Sequence, residues 1–226
     1  MANGASVPAA VFPASAAALG AIAILSAYVF AVARGDQIVG LKNLPDITHC
    51  VMKQPERGLF LTLFMPACVL QAGSWLVGSW NQSRGAAIVG ACACFLLVVG
   101  EAALDAKPNW TVHTVGASGF FLLSMVAQVM RATVAARPRD FSKRVIASIN
   151  VGLLVLDGVL ALRKAPAWAS NLIEWTLSFT IIAFHATFVA DLRGARVALL
   201  LPAPATVAVM TTNTEGLLHA KQHQVE

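Results

Sequence analysis

Apolar residues in this chain gather into six long runs, each closed at its ends by charge, Pro or Gly, near residues 14–33, 58–80, 85–104, 112–136, 144–162 and 171–192. A helix rises about 1.5 Å per residue, so roughly 20 apolar residues cross the hydrocarbon core of a bilayer, about 30 Å thick. The pattern predicts an all-α fold: a polytopic membrane protein, a bundle of about six transmembrane helices. No repeat period is visible beyond the alternation of span and loop, and no linker is long enough to separate one module from another. A single six-span domain over residues 1–226 is therefore expected, ending in a short cytoplasmic tail, 193–226. In that tail residues 197–210 are apolar but short, and Pro202 and Pro204 interrupt them, so they are read as lying on the membrane surface.

Two details within the runs bear on packing. Ala86, Gly90 and Cys94 repeat at every fourth position, a small-residue seam that lets another helix approach closely. Pro66 should kink the second span and free a backbone carbonyl that a neighbour or Thr62 must satisfy.

Composition supports lipid as the main solvent: 58% of the 226 residues are hydrophobic and only 12% charged, against about 25% charged in ordinary globular chains. The mean hydropathy is +0.71. The net charge of +5 comes from basic residues between apolar runs rather than from a basic face with stacking aromatics, which argues against nucleic acid as a partner. Of the four cysteines only Cys50 lies in a polar loop, so no disulfide framework is apparent. The first 33 residues hold no Lys or Arg, which sets the first run apart from a signal or transit peptide and marks it as a span.

Orientation follows from basic residues on alternate sides. Arg84, Arg131, Arg137, Arg139, Lys143, Arg144, Arg193, Arg196 and Lys221 share one side; Arg34, Lys42, Lys53, Arg57, Lys107, Arg163 and Lys164 share the other. Five of the first group crowd the fourth loop, which places both termini in the cytoplasm. Arg131, Arg137, Arg139, Lys143 and Arg144 are then expected against anionic cytoplasmic headgroups.

In that orientation Glu101, His113, Asp157 and Glu174 reach similar depth in the exoplasmic half, on four different spans, and the first loop adds Asp46, His49 and Glu56. Polar groups at such depth are costly. They are either interfacial residues wetted by headgroups and water, or the lining of a pocket for a lipid headgroup or a cation, with carboxylate and imidazole available for proton transfer. His113 and Glu174 are expected to face each other inside the bundle, with Trp175 turned toward the outer interface. His185, deeper, reads as an interhelical hydrogen bond rather than a ligand. Cys92 and Cys94 point apart on a helix and His49 beside Cys50 has no second cluster, so neither metal nor cofactor is called for. Asn109, in Asn109-Trp110-Thr111, is a glycosylation candidate, and Asn81-Gln82-Ser83 is a second sequon.

Three segments resemble one known family. The first loop reads Leu44-Pro45-Asp46-Ile47-Thr48-His49, then Pro55-Glu56 and Leu59-Phe60; the fourth span opens on His113, Gly116-Ala117 and Phe120-Phe121; the sixth holds Glu174-Trp175 and Thr187-Phe188. These resemble the DRAM-type family, which includes damage-regulated autophagy modulators, remodellers of GPI-anchor lipid and a yeast plasma-membrane protein linked to lipid asymmetry. Asp-Ile-Thr stands here where Ile-Ser-Asp is commoner, whereas His113 and Glu174 match the pattern. The resemblance implies a six-span fold and two functions. One is lipid handling, as in GPI-anchor remodelling or lipid presentation, through a groove beside Glu174. The other is a non-enzymatic regulator or assembly subunit of a larger membrane complex, as for autophagy modulators. Membrane lipids, and for the second reading a membrane protein, are the implied partners; an endomembrane (ER, Golgi or endolysosome) or the plasma membrane is the implied location. Ion conduction would need polar residues at successive depths, for which Gln71, Gln128 and Asn150 are scattered candidates.

The orientation is testable by moving an efficient sequon into the first or the fourth loop. Glycan is expected on the first-loop variant and none on the fourth-loop variant; the reverse result overturns the orientation and the exoplasmic cluster with it.

Overall fold

The computed structural model describes residues 6–35, 44–104, 108–134 and 140–198. Among them, six helices are long and apolar enough to cross a membrane: α1 (Val11–Ala33), α3 (Glu56–Ser79), α4 (Arg84–Ala102), α5 (Trp110–Val134), α6 (Phe141–Leu162) and α7 (Ala167–Asp191). A single helical turn, α2 (Ile47–Cys50), lies between α1 and α3. The all-α polytopic architecture expected from the apolar runs is thus the observed one. Residues Val7–Val197 are one compact unit; a second, Met1–Ser6 with Ala198–Glu226, falls almost wholly outside the described residues, as does the predicted surface segment 197–210 apart from its start. Two short strands, β1 (Ser6–Pro8) and β2 (Arg196–Ala198), pair with each other, and Ala9 N–H donates to the Ala195 carbonyl at 2.9 Å.

The spanning helices follow one another around a ring: α1 packs on α3, α3 on α4, α4 on α5, α5 on α6, α6 on α7, and α7 back on α1. Small residues set the closest approaches. At Gly116 an added Cβ would lie 2.6 Å from the Gly100 Cα, backbone against backbone, so α4 and α5 touch where neither helix has a side chain. The seam of Ala86, Gly90 and Cys94 is buried, and its centre receives an indole: a Cβ on Gly90 would stand 2.2 Å from the Trp75 ring. Trp75 in turn packs against Phe184, His185 and Phe188 of α7.

Polar side chains bind the interior across helices, as the lack of water in a bilayer requires. Asn150 of α6 donates to Gln128 of α5 at 2.7 Å and accepts from Thr180 of α7. Gln71 belongs to a separate contact, 3.3 Å from His185 Nδ1, whose shorter partner is the Ile181 carbonyl of its own helix at 2.8 Å. Thr62, expected near the carbonyl freed by Pro66, donates its hydroxyl to Gly58 at 2.7 Å instead.

α6 is the least enclosed helix. Its buried residues, Lys143, Ala147 and Asn150, form one stripe in its first half, and a Cβ at Gly152 or Gly158 would meet nothing within 4 Å. Beyond that stripe Leu153, Leu154 and Leu160 are only partly buried, packed on the core beside Phe120 and Leu177, and the candidate site lies along this half of the helix.

Gly116→Ala should lower the unfolding temperature in detergent, since overpacking against rigid backbone costs about 1–3 kcal/mol. Gly152→Ala, which meets open space, should leave it unchanged or raise it through helix propensity. Equal effects in the two variants would contradict the close approach.

Candidate lipid site

One end of the bundle joins the final turns of α1, α4 and α6 to the first turns of α3, α5 and α7, and the charged residues there neutralise one another in sequence. Arg34 donates to both oxygens of the buried Glu56 carboxylate, at 2.7 and 3.0 Å, and also to the Gln54 carbonyl. Arg57 donates to Glu101 at 3.0 Å and to the same residue's backbone carbonyl, with both side chains shut off from solvent. His113 is the next member: its Nδ1 is 3.2 Å from the Gly100 carbonyl and 3.8 Å from the Glu101 carboxylate, and its Nε2 is 3.1 Å from the Thr48 hydroxyl. The Gly100 carbonyl can only accept, so Nδ1 is the donor of that contact, while Nε2 pairs with the Thr48 hydroxyl. The close contact of Gly100 with Gly116 brings that carbonyl within reach of His113, one turn before Gly116 on α5.

Beside this floor, along the second half of α6, lies a partly open cavity of about 270 Å³. Thr48 of α2, His113, Thr114, Ser118 and Phe121 of α5, Leu154 and Asp157 of α6, and Ser170, Glu174 and Leu177 of α7 line it. Ser170 donates to the Asp157 carboxylate. The Glu174 carboxylate lies against the Ile47 N–H at the start of α2, with Asp46, Asp157 and Glu101 near enough to act on it electrostatically. His113 and Glu174 also share the wall of a narrower void of about 50 Å³ that runs inward past Phe64, Leu97 and Phe120. A third, of about 40 Å³, shares those three residues and ends at Gln71 and Ile181. The cavities form a polar chamber with an apolar slot beneath it.

Of the seven sequence candidates, His113, Asp157 and Glu174 come together around the chamber. Glu101 borders the inner void from within its pair with Arg57, and Glu56 is engaged by Arg34. Asp46 is the N-cap of α2, accepting from His49 N–H at 2.7 Å and meeting the His49 ring at the same distance. His49 stacks on Trp110, which also meets His113 edge-on. Cys50, outside the spans, is buried close to Asp46 and Glu174; burial first, then those carboxylates, push its thiol up to about 12, so it stays protonated at neutral pH. Asn109 is exposed, and its Oδ1 accepts from Val112 N–H at 3.1 Å.

Two expectations need correcting. Trp175 does not turn toward the outer interface: it is buried, donates to the Pro45 carbonyl at 2.8 Å and packs on Tyr28, because the first loop folds over the bundle end and offers that carbonyl. Arg131 and Lys143 do not lie against headgroups. Both are buried on Asp191, each at 3.0 Å, and Lys143 also donates to Asp140 at 3.1 Å. Carboxylates at the end of α7 and before α6 draw the two cations inward. Arg144 is exposed, and Arg137 and Arg139 lie outside the described residues.

The family model described as the Frag1/DRAM/Sfk1/Cwh43P N-terminal domain matches residues 8–195. The chain belongs to this family. No curated protein and no solved structure matches it. As a Frag1/DRAM/Sfk1 protein it is an integral multipass membrane protein, in keeping with its six long apolar helices.

Several residues of the site went unread in the sequence. Ser170 precedes Glu174 by four positions and so shares its helical face, a signal available from spacing. Thr48 and the pairing role of Arg57 depend on how the first loop folds back, which spacing does not carry.

Proposed function

We propose that this Frag1/DRAM/Sfk1 protein handles membrane lipid, holding a headgroup in the exoplasmic half of the bundle and presenting or remodelling it there, in an endomembrane or the plasma membrane. The observation that carries this reading is the chamber in which His113, Asp157 and Glu174 meet above an apolar slot. A lipid has the same division: a polar head and a chain that gains by leaving water. Carboxylates only accept hydrogen bonds when ionised. With Asp157 and Glu174 on its wall and Ser170 already donating to Asp157, the chamber suits a headgroup rich in donors, an ammonium or a polyol. The arginines of the floor are occupied by Glu56 and Glu101, so the chamber offers an anionic phosphate little.

The opposing reading, a regulator or assembly subunit without a lipid substrate, makes the chamber acids dispensable. Full-length protein captured from native membranes and extracted for lipid separates the two. Lipid with an amine or polyol headgroup should accompany the wild type at near-equal amounts. Glu174→Gln, which keeps shape and removes the acid, should reduce it roughly tenfold or more, the value of a charge-assisted hydrogen bond to a bound ammonium. Unchanged lipid in Glu174→Gln, with a protein recovered at equal amounts instead, would support the regulator.

A further inference from the structure

At the opposite end of the bundle a cavity of about 550 Å³ opens between α5 and α6, with Thr133, Arg144 and Ser148 among apolar Val129, Ala147 and Val151. It lies in the first half of α6, whereas the chamber borders the second half. The lining is graded with depth. At helical rise Arg144 sits about 5 Å along α6 from Phe141, Ser148 about 10 Å and Val151 about 15 Å. Arg144 therefore lies near the end of the helix, and the apolar wall of Val129 and Val151 lies deeper in the span.

Charge distinguishes Arg144 from the cations around it. Arg131 and Lys143 are buried on Asp191 and Asp140, so the nearby acids are already neutralised. Arg144 is exposed and makes no ion pair among the described residues, and no acid lines the groove. The Thr133 hydroxyl donates to the Met130 carbonyl at 3.1 Å, which leaves Arg144 and Ser148, one turn apart on the same face, as the groove's donors. Two donors at headgroup depth over an apolar wall match a phosphate bearing an acyl chain. A choline or ethanolamine cation would find no carboxylate there.

We infer that this groove is a second lipid site, for an anionic phospholipid whose phosphate rests on Arg144 and Ser148 and whose acyl chain runs along Val129 and Val151. It is separate from the chamber in position and opposite to it in charge preference.

Native mass spectrometry of the full-length protein, released from micelles doped with phosphatidylserine or with phosphatidylcholine, tests this. A phosphatidylserine adduct that depends on Arg144 and Ser148 should form, with no such phosphatidylcholine adduct. Arg144→Glu should weaken it by roughly tenfold or more, since each basic residue at a membrane surface is worth about fivefold toward anionic lipid. Arg144→Lys should retain most of it. Ser148→Trp fills the groove from an exposed position without changing charge, and it should abolish the adduct in a protein whose unfolding temperature is unaltered. Glu174→Gln, at the other end, should leave the adduct intact. An Arg144-dependent adduct formed equally by the two lipids, no phosphatidylserine adduct at all, or a phosphatidylserine adduct indifferent to both Arg144→Glu and Ser148→Trp would overturn the proposal.

Discussion

Glu101 and Arg57 meet at 3.0 Å in a place closed to solvent, and the geometry at this end of the bundle descends from that pair. A membrane interior supplies no water to an unpaired charge, so Glu101 on α4 holds the first turn of α3 in register, and the Arg57 bond to the Glu101 carbonyl fixes the last turn of α4. The neighbouring Gly100 carbonyl then orients His113, and His113 reaches Thr48 and so the first loop. Removing one partner of such a buried pair is strongly destabilising, by about 3–5 kcal/mol, whereas exchanging both for apolar residues is often neutral. The pair is therefore better understood as an organiser of the bundle end than as its source of stability.

The second constraint is the sparse burial of α6. Its fully buried stripe ends at Asn150, held to Gln128 and Thr180, and beyond it Leu153, Leu154 and Leu160 are only partly buried against the core. Along this half of α6 Asp157 faces Glu174 of α7 across a shared space of about 270 Å³. The two cavities flanking α6 have opposite character for the same reason that the bundle has opposite ends. Acids not engaged by arginine remain at one, and a cation not engaged by acid remains at the other.

Apolar run length, the one signal that lipid imposes on every span, made the six helices legible. The gathering of His113, Asp157 and Glu174 was legible too, because alternate spans run in opposite directions and depth can be counted from their ends. Spacing places Glu56 and Glu101 among the pocket candidates, but nothing in spacing reveals that Arg34 and Arg57 reach them. Arg131 was counted as a loop residue although it continues the buried face of Gly116, Phe120, Ser124 and Gln128. Counting basic residues assigns sides but is blind to the acid, Asp191, that takes Arg131 and Lys143 into the interior. Trp175 misled because an indole near a span end is ordinarily interfacial, and the carbonyl of Pro45 that claims it lies 130 residues away in sequence.

On the proposed function a lipid headgroup enters the chamber between α5, α6 and α7. Photocrosslinking measures this most directly, using a phospholipid with a diazirine beside an amine headgroup, reconstituted with the full-length protein and mapped by peptide mass spectrometry. Adducts are predicted on the chamber-lining segments around Thr114 and Ser118 and from Ser170 to Glu174, and excess unlabelled lipid should remove them. Labelling confined to outward residues such as Val115 and Leu122, indifferent to competitor, would contradict the account.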